Sequence, residues 1–555
     1  MARFRVKPRG PDTPPAEREV FPRKGHDDYL AGVVYPGPYA VGMSSLGFQW
    51  ALRRIETTEG FCAERFFAGP PGKGGGTVPR SLEAGRTPVE CHFLAVSMAY
   101  EPDAVAFLQF LRAAGIPAER CRRDRRHPLV LGGGSAFQVN PVPLSPFVDV
   151  IVAGDGEEVL PALLKAYREA PGRAEFLERA ARLGGVWVPS LSPARPGAVA
   201  APPVAGDVLA ASGPPFSNIL SPGAEFADTL LVEISRGCPG GCRFCWAGYR
   251  HRPPRSFPAD AVLDLARQAR PAVSKVGLVA TSVCRHPEIG RLLDGLLGLG
   301  YGIGVSSLRL ADLTPDLLGK LAAGGEDSVT LAPETGSRQL GNALNKPCDP
   351  AVIREACARV FAAGIRKLRV YFMVGLPGET REDVEASLDL AESIHRDFTL
   401  VQRSWDRPGA FSVNVSPFVP RPHTPFAREA MDDPAALRRK LALFRARLGR
   451  LANTEVRLGS VDEARLQWRL GNGDLETARE LLALAEGRLP LRRFIEGDHG
   501  WLPHGPGSGS APPWEVLDPG LRPGFLEAEH AKSGQGIVTG PCPGAGHCGP
   551  CRACR

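Results

Sequence analysis

Nowhere does the chain hold the roughly 18 uninterrupted apolar residues that a membrane helix needs. Met1 to Pro15 is polar and proline-rich, without the apolar core of a secretion signal. Membrane spanning and export are therefore not expected, and the chain is read as cytoplasmic. A strong charge excess is missing too. Against 60 acidic residues stand 67 lysines and arginines, a formal net charge of +7 spread along 555 residues. That balance leaves a nucleic-acid surface open without pointing to one. The basic residues are mostly arginine in a chain also rich in Ala, Gly and Pro, which reads as a bias of the source genome. No Gly-X-Y period runs through the 64 glycines and 54 prolines, so collagen is excluded and the excess belongs to loops and linkers. What is present is ordinary globular material. Hydrophobic residues make up 43% and charged residues 23%, enough for more than one core, and wholesale disorder is excluded. Length sets an expectation of three or four domains.

The 13 cysteines sort by spacing. Cys62, Cys91, Cys121, Cys284, Cys348 and Cys357 are isolated. Cys357 lies on one helical stripe with Ile353, Ala356, Val360 and Phe361 and is expected in a core. Cys238, Cys242 and Cys245 form one tight group, and Cys542, Cys548, Cys551 and Cys554 a second. In a long chain without a signal sequence, clustered cysteines point to metal before disulfides.

After an N-terminal arm at 1–29, residues 30–190 alternate apolar runs (Ala31 to Tyr35, Phe93 to Ser97, Leu129 to Leu131, Val148 to Ala153) with helical patterns, as in a parallel α/β sheet. Gly132-Gly133-Gly134 and Gly154-Asp155-Gly156 follow two of those strands. There they serve either ligand approach or tight strand-to-helix turns. Residues 191–226, rich in Pro, Ala, Ser and Gly, read as a linker or a segment wrapping the domains. A second α/β unit at 227–430 carries six expected strands: Leu230 to Ser235, Lys275 to Thr281, Gly302 to Leu308, Ser328 to Ala332, Lys367 to Val374 and Phe411 to Ser416. Thr380-Arg381-Glu382-Asp383 matches a helix capping box. Six such repeats suggest a parallel barrel with its active groups at the strand C-termini. Residues 431–500 read as helical and charged, and 501–555 as a Gly/Pro-rich tail ending in the second cysteine group.

The run Arg236-Gly-Cys238-Pro-Gly-Gly-Cys242-Arg-Phe-Cys245-Trp follows the first strand of the second unit directly. Soft thiolates select iron-sulfur, zinc or Cu(I). Three protein ligands leave a coordination position open, the mark of a catalytic rather than a structural site; a structural zinc loop is the alternative. The order C-x3-C-x2-C, with Phe244 before the last cysteine, resembles the cluster motif of the radical S-adenosylmethionine (SAM) superfamily. The resemblance implies a [4Fe-4S] cluster on Cys238, Cys242 and Cys245 whose remaining iron chelates SAM. It also implies reductive cleavage of SAM to methionine and a 5′-deoxyadenosyl radical. Further landmarks are similar to the superfamily's in the same order: Ala280-Thr281-Ser282, Ser306-Ser307-Leu308-Arg309, Glu334-Thr335-Gly336-Ser337, Gly375-Leu-Pro-Gly-Glu379-Thr380 and the proline-rich Pro417 to Pro425. They imply SAM contacts from Phe244, Thr281, Ser307, Arg309, Glu334 and Gly375.

The N-terminal half resembles the Rossmann-like cobalamin-binding domain of class B radical SAM enzymes. Tyr39 to Gly47, Leu129 to Glu158 and Arg236 to Arg255 together resemble a bacterial family of radical SAM proteins with such a B12-binding-type domain. The likeness implies cobalamin contacts at Ser44, Gly47, Gly133, Ser135, Gly154 and Glu157. Where some cobalamin proteins carry Asp-x-His-x-x-Gly, this chain has Gly42-Met-Ser44-Ser-Leu-Gly47, so that loop brings no histidine to cobalt. The tail cysteines Cys542, Cys548, Cys551 and Cys554, beside His547, could hold a second Fe-S cluster or a zinc. The expected fold class is α/β: a Rossmann-like cobalamin-binding-type domain, a partial (β/α)6 barrel and a small, mostly helical C-terminal region. The implied function is that of a radical SAM enzyme, with cobalamin-dependent methyl transfer first in line. Methylthiolation or sulfur insertion into RNA is a second reading, and a non-catalytic iron-sulfur scaffold or electron carrier a third. An electron donor such as flavodoxin or ferredoxin is the expected partner.

Overall fold

The computed structural model describes residues 16–69, 78–496, 511–544 and 553–554. Described residues up to Val232 group with Leu466–Leu521, and Glu233–Arg465 groups with the described residues from Arg522 onward. Among the described residues no helix is long and apolar enough to cross a membrane.

The first unit is built on a six-stranded sheet, in the order Phe61–Phe67, Tyr29–Tyr35, Phe93–Ser97, Leu129–Gly133, Val150–Val152, Val186–Trp187. The first five strands are parallel and the last is antiparallel. Alternate residues feed two cores: Ala31, Val33 and Tyr35 face one, Leu30 and Val34 the other. A sheet covered on both faces explains why its strands read as nearly continuous apolar runs. Helices Leu46–Glu56 and Gly156–Glu169 bury Phe48, Leu52, Leu163 and Leu164 against the first face. Helix Asp103–Ala113 buries Phe107 and Leu111 against the second, joined there by Leu470 and Leu481 from the helices Val461–Asn472 and Leu475–Ala485.

Two differences from the sequence reading have clear causes. Strand Phe61–Phe67 is interrupted in sequence by Glu64 and Arg65, yet both are buried; Arg65 pairs with Glu17 at 2.7 Å and Glu83 at 2.6 Å. Paired charges of this kind can sit inside a strand without an uncompensated desolvation cost. The stretch 191–226 is tied down rather than free. Val199–Ala200 pairs with Leu517–Asp518 and Ile219–Leu220 with Arg18–Glu19, while the buried Gln49 amide bonds both the N–H and the carbonyl of Ile219.

The second unit carries two four-stranded sheets. One runs Arg255–Ser256, Leu230–Arg236, Lys275–Ala280, Gly302–Val305; the other runs Ser328–Glu334, Lys367–Val374, Ala410–Pro417, Thr454–Leu458. A parallel bridge between Leu308 and Leu331 joins them. The six expected strands are all present, and Arg255–Ser256 is an antiparallel addition at one edge. Thr454–Leu458 adds a seventh parallel strand inside the stretch read as helical. Helix Arg381–Val401 starts at Thr380 with the expected capping box to Asp383. Cys357 is fully buried, as its stripe requires.

Candidate iron-sulfur and cofactor site

The first barrel strand ends at Arg236, whose guanidinium is held by Glu233 at 2.7 Å. The next residue, Gly237, has φ +85°, and a Cβ there would stand 2.1 Å from the carbonyl oxygen of His251. Only glycine lets the chain turn this tightly against that backbone. The loop then presents Cys238, Cys242 and Cys245, all partly accessible. The Gly240 N–H donates to Cys238 Sγ at 3.4 Å, and the Gly248 N–H donates to the Cys245 carbonyl at 3.1 Å. Burial pushes the Cys242 thiol up to about 11 and raises that of Cys245 as well; the Lys346 ammonium pulls Cys242 the other way. Ligation to a cationic metal centre is what such thiols need to lose their protons. Among the described residues no three His, Cys, Asp or Glu side chains converge on a point that could hold a single metal ion. The donor set is three thiols spaced around one loop, with a backbone N–H on the Cys238 sulfur. That chemistry fits an iron-sulfur centre, which takes its thiolates on separate irons.

Several predicted SAM residues come to this loop. Arg309 places Nη1 3.8 Å from Cys238 Sγ, leaving a cationic fork beside the sulfur. Glu334, in a left-handed conformation at φ +71°, accepts from Lys346 Nζ at 2.7 Å. Burial works against the Lys346 charge, but Glu334 and the thiols outweigh it, so its pKa is raised. Thr281 and Ser307 are exposed residues just past their strands. Phe244 packs with Leu340, Leu344, Leu376, Phe418 and Phe426, which makes it an anchor of the loop. Gly375 serves a turn: φ is +78°, its N–H donates to Glu379 at 2.7 Å, and Leu437 would meet a Cβ at 2.5 Å.

Three further residues of the site carry no sequence signal. Lys346 is one. Asn345, at φ +54°, donates from Nδ2 to the Gly241 carbonyl at 2.9 Å. Arg243, fully buried, donates from Nη1 to the carbonyls of Asn342 and Ala343 at 3.2 and 2.9 Å. The partners of Asn345 and Arg243 lie about a hundred positions away in sequence, beyond the reach of any local motif. Of the tail cysteines, Cys542 donates its backbone N–H to the Pro239 carbonyl at 2.7 Å, and the Cys554 carbonyl accepts from Arg522 Nε at 2.8 Å. Cys548 and Cys551, with His547, lie outside the described residues.

In the first unit the sheet order reverses between Tyr29–Tyr35 and Phe93–Ser97, and a ligand crevice is expected at the C-terminal ends of those strands. Gly47 lies there, with Ser97 Oγ 3.9 Å from where its Cβ would be. Gly133 is in register with Ser97, and Ser135 Oγ donates to the Ala99 carbonyl at 2.8 Å. The half-buried Ser44 donates from Oγ to the Ala40 carbonyl at 2.9 Å and accepts from the Phe226 N–H at 3.3 Å. Gly154 is packed against Gly185, and Glu157 is buried in the first turn of helix Gly156–Glu169. The described histidines of this unit, His26, His92 and His127, all precede strands and so stand at the opposite edge of the sheet. These three histidines therefore bring no imidazole to the C-terminal ends of the strands.

Residues 47–189 match the model of the family described as radical SAM proteins, N-terminal, and residues 232–391 that of the radical SAM superfamily. An uncharacterized protein of Methanocaldococcus jannaschii is 29% identical over 316 residues, 56% of this chain and 64% of that protein. The tRNA-2-methylthio-N(6)-dimethylallyladenosine synthase of Alteromonas mediterranea is 28% identical over 242 residues, 39% of this chain and 46% of that enzyme. The chain thus spans less than two thirds of either relative's length. Among solved structures, the radical S-adenosylmethionine methyltransferase TsrM from Kitasatospora setae, with cobalamin and a [4Fe-4S] cluster bound, shares the fold. It superposes with a TM-score of 0.52 at 14% identity, over 83% of this chain and 100% of that one.

Proposed function

Because this chain belongs to the radical SAM superfamily of enzymes, we propose that it is a cobalamin-assisted methyltransferase whose cluster is held by Cys238, Cys242 and Cys245. The observation that carries the radical SAM part is the glycine-bounded loop after the first barrel strand, with three thiols, the Gly240 N–H on the Cys238 sulfur and the Arg309 fork beside it. When bound, the cluster supplies the electron that cleaves SAM, and cobalamin carries the methyl group. The chain's own residues bind and orient. The Arg309 guanidinium offers two parallel N–H donors to a carboxylate. Glu334, held by Lys346, offers acceptor oxygens to an amine or hydroxyl. The methyl-transfer part is supported by the strand C-termini at the sheet's switch point, where Gly47 and Gly133 stand beside Ser97, and by the fold shared with TsrM, itself a methyltransferase with cobalamin bound.

The test is iron, cobalt and zinc analysis of anaerobically purified protein from cobalamin-fed cells, beside the Cys238→Ala, Cys242→Ala, Cys245→Ala triple variant. About four irons per chain, lost in the variant, with cobalt retained, is the expected result. Zinc in place of iron would overturn the reading. So would failure to form 5′-deoxyadenosine from SAM under strong reductant, which would leave an iron-sulfur scaffold. A second reading, methylthiolation of tRNA, draws on relatives with that activity. It expects tRNA retention that falls steeply with rising salt, and iron without cobalt.

A further inference from the structure

The cysteine loop is gripped from behind by a part of the chain some 300 residues further on. Helix Phe525–Gly534 and the strand of backbone after it, to Cys542, meet the loop at several points. At Pro239 the carbonyl accepts the Cys542 N–H at 2.7 Å. At Gly241 the carbonyl accepts from Asn345 Nδ2, and the other end of that amide accepts the Thr539 N–H at 2.7 Å. The same Gly241 carbonyl accepts from Tyr249 OH at 3.0 Å, and Phe525 packs on the Tyr249 ring at 6.3 Å. At Arg243, between the second and third cysteines, Nη2 donates to the Ile537 carbonyl at 2.7 Å and to Glu529 Oε2 at 3.3 Å. Arg243 and Glu529 are both buried. Glu529 is itself fixed by Lys532 Nζ at 2.7 Å and by Thr539 Oγ1 at 2.9 Å.

A buried guanidinium between two ligands is a costly choice unless its position matters, since packed apolar groups would stabilise a plain loop as well or better. The attachment points alternate with the thiols: Pro239 and Gly241 lie between Cys238 and Cys242, and Arg243 between Cys242 and Cys245. We propose that Phe525–Cys542 is a clamp that sets the spacing of the three cluster thiols, with Arg243 and Glu529 as its positioning pair. Groups behind the ligands that fix their orientation tune a metal site. The proposal rests on the cluster reading above and assigns the C-terminal segment a role in it.

The test uses the full chain carrying Glu529→Gln or Thr539→Val, purified and reconstituted anaerobically beside wild type. Far-UV circular dichroism and thermal unfolding report the fold. Iron release to a chelator and the EPR line shape of the reduced cluster report the thiol geometry. The expected result is a folded E529Q protein that releases iron about 10-fold faster, with an altered line shape. T539V, which removes the Thr539 hydroxyl from Glu529 but leaves Lys532 and Arg243 on the carboxylate, moves the same way by less. A wild-type line shape and release rate in both variants would overturn the clamp. Cluster loss only in proportion to unfolded protein, the remaining signal unchanged, would also overturn it, because a merely structural role lowers amplitude and leaves the shape alone. Iron-free wild-type protein would instead defeat the cluster reading itself, which separates the two failures.

Discussion

At the scale of single residues, two glycines of the cysteine loop make opposite demands. A Cβ on Gly237 meets the His251 backbone oxygen at 2.1 Å in a left-handed conformation, so neither side can yield. Gly237→Ala is expected to cost about 3 kcal/mol or more, read as a lower unfolding midpoint. A Cβ on Gly240 meets Arg309 Nη1 at 2.6 Å, the far end of a flexible side chain, and Cys238 Sγ at 3.4 Å. Gly240→Ala should therefore leave the unfolding midpoint close to wild type while displacing the guanidinium. Loss of a charge-assisted pair predicts SAM binding weaker by about 10-fold. Equal stability losses in the two variants would refute the distinction. The same residues mark what a sequence can disclose of the site. That Cys238, Cys242 and Cys245 share one short loop is legible because they are close in sequence. Arg243, Asn345 and Lys346 are not, since their meaning comes from carbonyls and carboxylates that only folding brings near.

At the scale of elements, regular alternation was legible and interrupted alternation was not. The barrel strand Lys367–Val374 matches its expected span residue for residue. Thr454–Leu458 also alternates, but its Glu455 and Arg457, which pair with each other, made five residues resemble a charged helix. Helix Leu475–Ala485 shows the energetic side of placement: Leu481 is fully buried in the core of the first unit. Leu481→Ala is expected to destabilise that unit by about 2 to 5 kcal/mol, seen as an earlier denaturant transition with the EPR signal of the cluster unchanged. Helix Phe525–Gly534 adds a pH dependence. Burial pushes the Glu529 carboxyl up, but Lys532 and Thr539, with Arg243, outweigh it and hold the pKa below the ordinary value. A depressed acid stabilises fully above its unfolded pKa of about 4.3, and that contribution is lost as pH falls through the folded value. Amide exchange in 525–542 should thus lose protection as pH drops below about 4, and E529Q should remove the pH dependence. Identical profiles for the two proteins would count against it.

At the scale of the whole molecule, the order of two α/β units was legible because each repeats strand, glycine turn and helix. The membership of the C-terminal stretches was not: Leu466–Leu521 folds with the first unit and the residues from Arg522 with the second. Long-range pairing such as Val199 with Leu517 leaves no periodic trace in a proline-rich segment. The direction of the parallel strands carries one further consequence for the proposed methyl transfer. His26, His92 and His127 stand at the edge where strands begin, whereas the crevice of Gly47, Ser97 and Gly133 lies where they end. Strands of five to seven residues, at about 3.3 Å each, separate the two edges by more than a cobalt–imidazole bond can span. Cobalamin reconstituted into this protein and reduced to Co(II) is therefore expected to give an EPR spectrum without nitrogen splitting from His26, His92 or His127. The spectrum should be unchanged in a His26→Ala, His92→Ala, His127→Ala variant. Splitting that disappears in that variant would mean the cobalt is approached from the other edge, and the crevice at the strand C-termini would then have to be given up as the cobalamin site.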